Sequence, residues 1–168
     1  MSKNIDSLLP IIYEDLKRLA RIQRSRVYSK KKLGTRSIVH EAYLNIVNSR
    51  TQIENKTQLL YLTSIAMRNI IIDNARAWKA KKRGGNESDI SIDQISLVSV
   101  QRNAEILALD EALNDLKKEN KRMVDVVICR FFGGLTQNET SCALNISVAT
   151  IKRDWTLAKA ILFQKLGS

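Results

Sequence analysis

Residues 147–156, near the end of the chain, combine small, polar and basic side chains in a pattern that suits contact with DNA. Lysine and arginine can bind phosphate oxygens or the edge of guanine, and small neighbours let the backbone approach base edges closely. The chemistry that these residue types support is recognition by binding. The candidate DNA-contacting residues are Ser147, Val148, Ala149, Lys152, Arg153 and Thr156.

Two helix patterns joined by a tight turn would position these side chains. Thr136 and Glu139 have the three-residue spacing of a reciprocal N-terminal cap, and Ser147 can cap the next helix. Asn145 lies where the chain must turn, and asparagine tolerates a left-handed backbone better than most residues. The pattern predicts a helix-turn-helix, whose second helix typically enters the DNA major groove. The alternative is an ordinary helical hairpin with a solvated charged face.

A second basic segment lies near the middle of the chain. Cationic side chains that recur at helical spacing, with aromatic rings between them, are suited to binding a single nucleic-acid strand. The alternative is a solvated helix end with its tryptophan partly buried. The residues concerned are Arg68, Asn69, Arg76, Lys79 and Arg83, with Trp78 and Tyr61 as rings on which a base could stack.

Long apolar patterns with a 3.6-residue period predict an all-α fold. Helices are expected from Ser7 onward, from about residue 36 to 48 and from about residue 57 to 83. Residues 86–103 have no sustained helical period and are predicted to be a linker. The apolar positions expected to face inward after it are Ile106, Leu109, Leu113 and Leu116, then Val124, Val127, Ile128 and Phe131, and finally Ile151, Trp155, Ala158, Leu162 and Leu166.

The formal charge of +11 over 168 residues is concentrated in the first half of the chain. Residues 1–85 hold 18 Lys and Arg against 6 Asp and Glu, residues 86–118 hold 3 against 7, and residues 119–168 hold 7 against 4. A positive block of this kind suits a polyanion, such as nucleic acid or an anionic membrane surface.

The composition argues against catalysis and against a metal or other cofactor. His40 is the only histidine, and no nucleophile–base pair, paired carboxylates or phosphate-binding glycine loop is present. Cys129 and Cys142 lie in apolar helix patterns and are interpreted as reduced core thiols. No stretch reaches the roughly 18 apolar residues of a membrane span, so a cytoplasmic protein without membrane contact is expected.

Several longer motifs resemble one known family. The segments "SIVHEAYLNIV", "AMRNIIIDNARAWKAKKRGG", "LALDEALNDLKKEN" and "VVICRFFGGLTQNETSCALNISVATIKRDWTLAKAIL" are similar, in this order, to extracytoplasmic-function sigma factors of the sigma-70 family. The resemblance implies two small helical domains joined by a linker. These are a three-helix region 2 domain at 1–85, the linker at 86–103, and a four-helix region 4 domain with the helix-turn-helix at 104–168.

The resemblance also implies partners and site residues. Such factors bind core RNA polymerase and promoter DNA, and an anti-sigma factor is an open further partner. By resemblance, the −35 element meets the helix from Ser147 onward, in a domain that also contacts the flap of the second-largest subunit. His40, Glu41 and Tyr43 match the positions that dock on the clamp of the largest subunit. The residues assigned to the −10 element are Arg50, Asn55, Lys56, Arg68, Asn69, Asp73, Arg76, Trp78, Lys79 and Arg83.

Four positions depart from the family pattern. Thr140 and Ser141 replace the usual Ile and Ala, Asn145 replaces a turn glycine, and His40 replaces a glutamine. The two hydroxyl residues are expected to loosen the small region 4 core by about 1–2 kcal/mol.

Two other classes of protein remain as alternatives to a sigma factor. One is a free-standing helix-turn-helix regulator that binds duplex DNA without polymerase. The other is a nucleoid-type or RNA-binding structural protein that acts through its charge alone, for which sequence preference would be small.

Overall fold

The computed structural model describes residues 35–48, 53, 55–83 and 97–167, and within these residues the fold is all-helical, as predicted. The predicted helix that begins near Ser7 lies outside the described residues. The helices are α1 (Thr35–Asn48), α2 (Lys56–Arg83), α3 (Leu97–Glu119), α4 (Lys121–Val127), α5 (Gln137–Leu144) and α6 (Val148–Leu166). A π-helical turn, Ile128–Phe132, directly continues α4.

Helix α3 begins earlier than the sequence pattern predicts. It starts at Leu97, so residues 97–103 of the predicted linker are helical. Side-chain periodicity is weak in this stretch because serine, glutamine and asparagine interrupt the apolar residues. The helical backbone nevertheless continues without a break into the strongly periodic part of α3.

Helix α2 packs against the helix that precedes it in the sequence and against elements that follow it. It contacts α1, and it also contacts α3, α5 and the π-helical turn. Ile71, Ile72 and Ala75 of α2 are buried in the same apolar cluster as Leu113 of α3 and Phe132 of the π-helical turn. The apolar surface of α2 therefore helps to form the core of the C-terminal helices, which the sequence pattern does not predict.

The closest approach of α2 to the C-terminal helices lies between Ser64 and Gly133. A Cβ atom built on Gly133 would lie 2.0 Å from Ser64 Oγ, so only glycine fits against this turn of α2. The Ser64 hydroxyl is buried and donates to the Leu60 carbonyl at 2.9 Å, which keeps it satisfied within its own helix. The following Gly134 has a φ of 67°, a left-handed conformation that suits glycine in the loop after the π-helical turn.

The buried stripe of α6 is shorter than predicted. Ile151, Ala158 and Leu162 are buried, whereas Leu166 is 46% exposed near the end of the chain. Trp155 is half-buried, and the Arg130 guanidinium lies 5.2 Å from the centre of its ring. This cation–π contact joins the π-helical turn to α6.

Asp154 points into the protein, away from the exposed face of α6. Its side chain is 4% exposed, and both carboxylate oxygens accept hydrogen bonds from Arg122 of α4, at 2.7 and 3.1 Å. The hydrogen bonds to Asp154 and the negative charge of its carboxylate raise the pKa of Arg122 above its ordinary value. The negative charge next to Arg153 is therefore paired with Arg122 between α4 and α6 and does not face solvent.

The two cysteines differ in environment, and the prediction that both are core thiols is wrong for one of them. Cys129 is buried beneath α2, and Cys142 is exposed on α5. Burial raises the pKa of the Cys129 thiol to about 12, with nearby Asp125 adding to the effect. The apolar pattern around Cys142 misleads because α5 has only two turns, and its outer side faces solvent.

We expect the two thiols to react at very different rates. At pH 8 a maleimide should modify Cys142 at once and leave Cys129 intact, because attack requires an accessible thiolate. Mass spectrometry after a short pulse should find one adduct per chain, located in α5. Rapid modification of both cysteines in the folded protein would contradict the burial of Cys129.

No helix among the described residues is both long enough and apolar enough to cross a lipid bilayer.

Candidate nucleic-acid interface

The helix-turn-helix forms as predicted from its capping residues. Thr136 Oγ1 accepts from the Glu139 backbone N–H at 3.1 Å, and the Glu139 carboxylate accepts from the Thr136 N–H at 2.7 Å. Asn145 ends α5 in the left-handed conformation, with φ 54° and ψ 48°. Ser147 then caps α6 by accepting from the Thr150 N–H at 3.2 Å. These local bonds fix the angle at which α6 leaves the turn.

The first turns of α6 present a polar and basic surface to solvent. Lys152, Arg153 and Thr156 are exposed, while Ile151 and Asp154 between them are buried. Ser147 and Ala149 are also exposed at the start of the helix, and Val148 is half-buried. All six predicted contact residues are therefore near one end of α6, on the side away from the core.

The two hydroxyl residues in α5 are accommodated without unpaired polar groups. Thr140 is fully buried, and its hydroxyl donates to the Thr136 carbonyl at 2.8 Å. The Ser141 hydroxyl donates to the Ile146 carbonyl and so ties α5 across the turn. A buried hydroxyl with a partner costs much less than an unpaired one, which limits the loosening expected from these residues.

The loop before α2 has a clear structural role at one of its predicted contact residues. Asn55 Oδ1 accepts from the Gln58 N–H at 2.9 Å and from the Thr57 hydroxyl at 2.6 Å, so it caps the start of α2. Lys56 is exposed at the first position of the helix. Arg50 lies outside the described residues, as do the side chains of Trp78 and Arg83.

Arg68 and Arg76 of α2 converge on a single carboxylate in α3. Asp110, whose side chain is 5% exposed, accepts from Arg68 through one oxygen and from Arg76 through the other, the latter at 3.2 Å. The Arg68 side chain is itself only 20% exposed. Two of the predicted −10 residues are thus paired with another part of the same chain.

Three other predicted contact residues of α2 have side chains that face solvent. Asn69, Asp73 and Lys79 are exposed. Asp73 lies 3.9 Å from the Arg76 guanidinium, which is the intrahelical ion pair that the sequence spacing favours. The predicted −10 surface is therefore divided between an exposed face of α2 and a face that packs on α3.

Tyr61 is not available for base stacking in this arrangement. Its hydroxyl donates to Asp125 of α4 at 3.0 Å, and its ring packs beside the buried cluster of Leu60, Cys129 and Leu135. Burial, with Asp125 close by, raises the pKa of Tyr61 well above its usual range. Tyr61 therefore joins α2 to the C-terminal helices through this hydrogen bond and this packing, and its ring does not face a ligand.

The predicted polymerase-docking residues lie on α1. His40 and Glu41 are exposed, and the Tyr43 side chain lies outside the described part of the structure. Leu44, which sequence reasoning did not single out, is 42% exposed one turn after these residues. Leu44 could have been found from its spacing, because a residue at i+4 from His40 and i+3 from Glu41 lies on the same helix face as those two residues.

Asp110 is the other residue that the sequence analysis did not identify. The only signal was the acidic balance of residues 86–118, which follow a strongly basic segment. Among the described residues, no cluster of three or more His, Cys, Asp or Glu side chains could hold a metal ion.

Comparison with known proteins gives one result. No curated protein and no solved structure matches the chain. The family model described as ECF sigma factor matches residues 2–168, which is almost the whole chain. Together with the helix-turn-helix and the basic surface of α2, this match confirms the resemblance seen in the motifs, and the chain belongs to the family of ECF sigma factors, which are DNA-binding transcription initiation factors.

Proposed function

We propose that this protein binds core RNA polymerase and directs it to promoters by contacting the −35 and −10 elements. The observation that carries the proposal is the exposed basic start of α6 on a fully capped helix-turn-helix. Lys152 and Arg153 face solvent there, whereas Asp154 is buried and forms an ion pair with Arg122. A helix of this kind can enter an intact major groove.

The −35 contact would combine phosphate and base recognition. Ser147, Ala149 and Val148 are small enough for the helix start to approach the bases, and the basic residues one turn later can reach phosphate or guanine. Each good base contact contributes about 1–3 kcal/mol of discrimination. The domain formed by residues 104–168 would also contact the flap of the second-largest polymerase subunit.

The −10 contact would require a melted strand. Unstacking a base costs a few kcal/mol, and phosphate contacts from a basic surface can offset that cost. The exposed Asn69, Asp73 and Lys79 of α2 supply the polar part of such a surface, and residues 50–56 lead into it. Arg68 and Arg76 belong to the same surface once they are released from Asp110.

Docking on the polymerase clamp would use the exposed face of α1. His40, Glu41 and Leu44 share that face, and Tyr43 is adjacent in the sequence. An exposed leucine between polar residues is typical of a protein contact surface, because its burial against a partner is favourable while the polar rim gives specificity.

Transcription with purified components tests this function directly. Core polymerase with the protein should produce discrete run-off transcripts from a genomic DNA library, and mapping of their 5′ ends should reveal a shared upstream motif. The protein should also co-elute with the core enzyme at low salt. Specific duplex binding without any polymerase association would instead indicate a free-standing regulator. Binding that loses all sequence preference against random DNA would indicate a purely electrostatic binder.

Replacement of Glu41 by Gln together with Tyr43 by Ala should weaken binding to core polymerase about tenfold or more, since a few central interface residues carry most of the affinity. The Glu41→Gln change by itself should leave thermal unfolding unchanged, because Glu41 is solvent-exposed. Glu111→Gln, which removes an exposed carboxylate from α3, is the matched control. Undiminished affinity of the double variant, measured by fluorescence titration, would rule out this face as the docking site.

A further inference from the structure

Two arginines from outside α6 hold successive residues of this helix. Arg122 of α4 donates to both carboxylate oxygens of Asp154, through Nε at 2.7 Å and through Nη2 at 3.1 Å. Arg130 of the π-helical turn places its guanidinium 5.2 Å from the centre of the Trp155 ring. The helix with the predicted −35 contact residues is therefore fastened to α4 and to its π-helical continuation by two cationic side chains.

Arg130 also reaches the loop that leads into the helix-turn-helix. Its Nη1 donates to the Leu135 carbonyl at 2.6 Å, and the next residue, Thr136, caps α5. Arg130 Nε is buried and has no hydrogen-bond partner among the described residues. Because an unpaired buried donor is unfavourable, this arginine is a costly way to stabilise the fold. Its contacts are better explained by what they orient, which is α6 and the loop before α5.

Apolar packing holds α6 on the core without fixing its rotation tightly. Ile151, Ala158 and Leu162 bury the inner side of the helix, and the hydrophobic effect has no directional preference. The pair between Arg122 and Asp154 is directional, because a guanidinium fork meets a carboxylate in a defined geometry. The Ser147 cap acts at the start of α6, whereas the pair acts about two turns later. The arginine contacts therefore restrain the helix beyond the reach of its cap.

The rotation of α6 matters because hydrogen bonds to base edges tolerate only small displacements. Their donor–acceptor distances span a range of about 0.5 Å. A helix with its side chains has a radius of about 5–6 Å, so a rotation of about 20° moves its surface by about 2 Å. Lys152, Arg153 and Thr156 are exposed next to the two held residues in the sequence, so they turn with them.

We propose that Arg122 and Arg130 are positioning residues for recognition of the −35 element. By holding Asp154 and Trp155, they set the rotation of α6 and so determine which base edges its exposed side chains reach. This inference rests on the proposed function, because it assumes that α6 reads duplex DNA. Loss of the arginine contacts should relax the choice of sequence and leave the general attraction to DNA unchanged.

Sequence selection by the reconstituted holoenzyme tests the role of Arg122. The probe is a library of random-sequence duplexes, and discrimination is the ratio of affinities for the motif that the wild type selects and for the same DNA with its −35 part scrambled. Arg122→Met with Asp154→Leu replaces the ion pair by apolar side chains and keeps the net charge. Discrimination should fall about tenfold, the size of one lost base contact. The urea midpoint should change little, since apolar residues often replace a buried ion pair without loss of stability.

Asp115→Leu with Lys118→Met is the matched control for this double substitution. The pair links two exposed residues of α3 at 3.3 Å, and its replacement also removes one charge of each sign. Discrimination should stay at the wild-type value, and an equal fall in this control would contradict a specific role for Arg122. Arg122→Lys keeps the test decisive if the apolar pair folds poorly. It retains the charge without the fork and should lower discrimination about threefold.

The role of Arg130 is tested against a second cation on the same ring. Lys159 lies 5.4 Å from the centre of the Trp155 ring but belongs to α6 itself, so it joins the ring to no other element. Arg130→Gln and Lys159→Gln each remove one positive charge beside Trp155. Arg130→Gln should lower discrimination about threefold, the size of one cation–π contact, and Lys159→Gln should leave it unchanged.

The pattern of the loss distinguishes positioning from direct DNA contact. Equal loss of affinity for the motif and for the scrambled DNA, with a weaker dependence on salt, would show that the arginines bind phosphate and would overturn the proposal. Unchanged discrimination in Arg122→Lys, in the apolar pair and in Arg130→Gln would overturn it as well. In both cases a wild-type holoenzyme that selects a motif still supports the proposed function. A wild-type holoenzyme that selects no motif would contradict the proposed function, and this inference with it.

Discussion

Replacement of both Lys152 and Arg153 by glutamate should reduce run-off transcription from a −35-dependent promoter about a hundredfold or more, because two favourable contacts become repulsive ones at about 1–3 kcal/mol each. Both side chains are exposed on α6, and neither contributes to the buried cluster. The free energy of unfolding should therefore stay close to that of the wild type. Transcription and urea unfolding, measured on the same preparation, test the two halves of this prediction.

The matched control for this charge reversal is Lys117→Glu with Lys118→Glu. These lysines are also adjacent and exposed, but they belong to the last turn of α3 and not to α6. The control variant has the same net charge as the test variant, so it corrects for any general loss of DNA affinity. If both variants transcribe equally well from the −35-dependent promoter, α6 is not the recognition helix.

Phe132→Ala should lower the free energy of unfolding by about 3–5 kcal/mol, which is the range measured for truncation of large buried aromatic residues. Phe132 is 0% exposed and packs edge-on against Phe131, with ring centres 5.0 Å apart. It belongs to the cluster that joins α2 to the C-terminal helices. Because small domains are stable by only about 5–15 kcal/mol, the loss should be evident as a large fall in the urea midpoint.

Phe163→Ala provides the control with the same change in volume. Phe163 is 83% exposed, so its truncation removes little buried surface and should leave stability almost unchanged. Comparable destabilisation by the two substitutions would contradict the position of Phe132 at the centre of the core.

The position of this aromatic residue shows where helical periodicity fails as a guide. The spacing of Val124, Val127 and Ile128 predicts Phe131 as the next inward side chain, and Phe131 is half-buried while Phe132 is fully buried. The π-helical turn widens the backbone at this point and rotates the following side chains. A regular period of 3.6 residues cannot anticipate that rotation.

Local sequence determined the helix-turn-helix almost completely. Thr136, Glu139, Asn145 and Ser147 each act through hydrogen bonds or backbone preferences within a few residues, so the signal and its effect lie in the same short segment. The prediction of a helix from about residue 57 to 83 is close to the observed bounds of α2, because a long apolar pattern continues into a basic run there. The motifs sufficed to identify the ECF sigma family, which the family model confirms.

Tertiary structure alone decided which partners the side chains of α2 meet. Asp110 lies 42 residues along the chain from Arg68, and Asp125 lies 64 residues from Tyr61, so no local pattern links them. The exposure of Cys142 and the burial of Cys129 likewise depend on which face another helix covers. Sequence periodicity identifies an apolar or charged face, but the partner of that face is set by packing between distant segments, where many weak contacts act together.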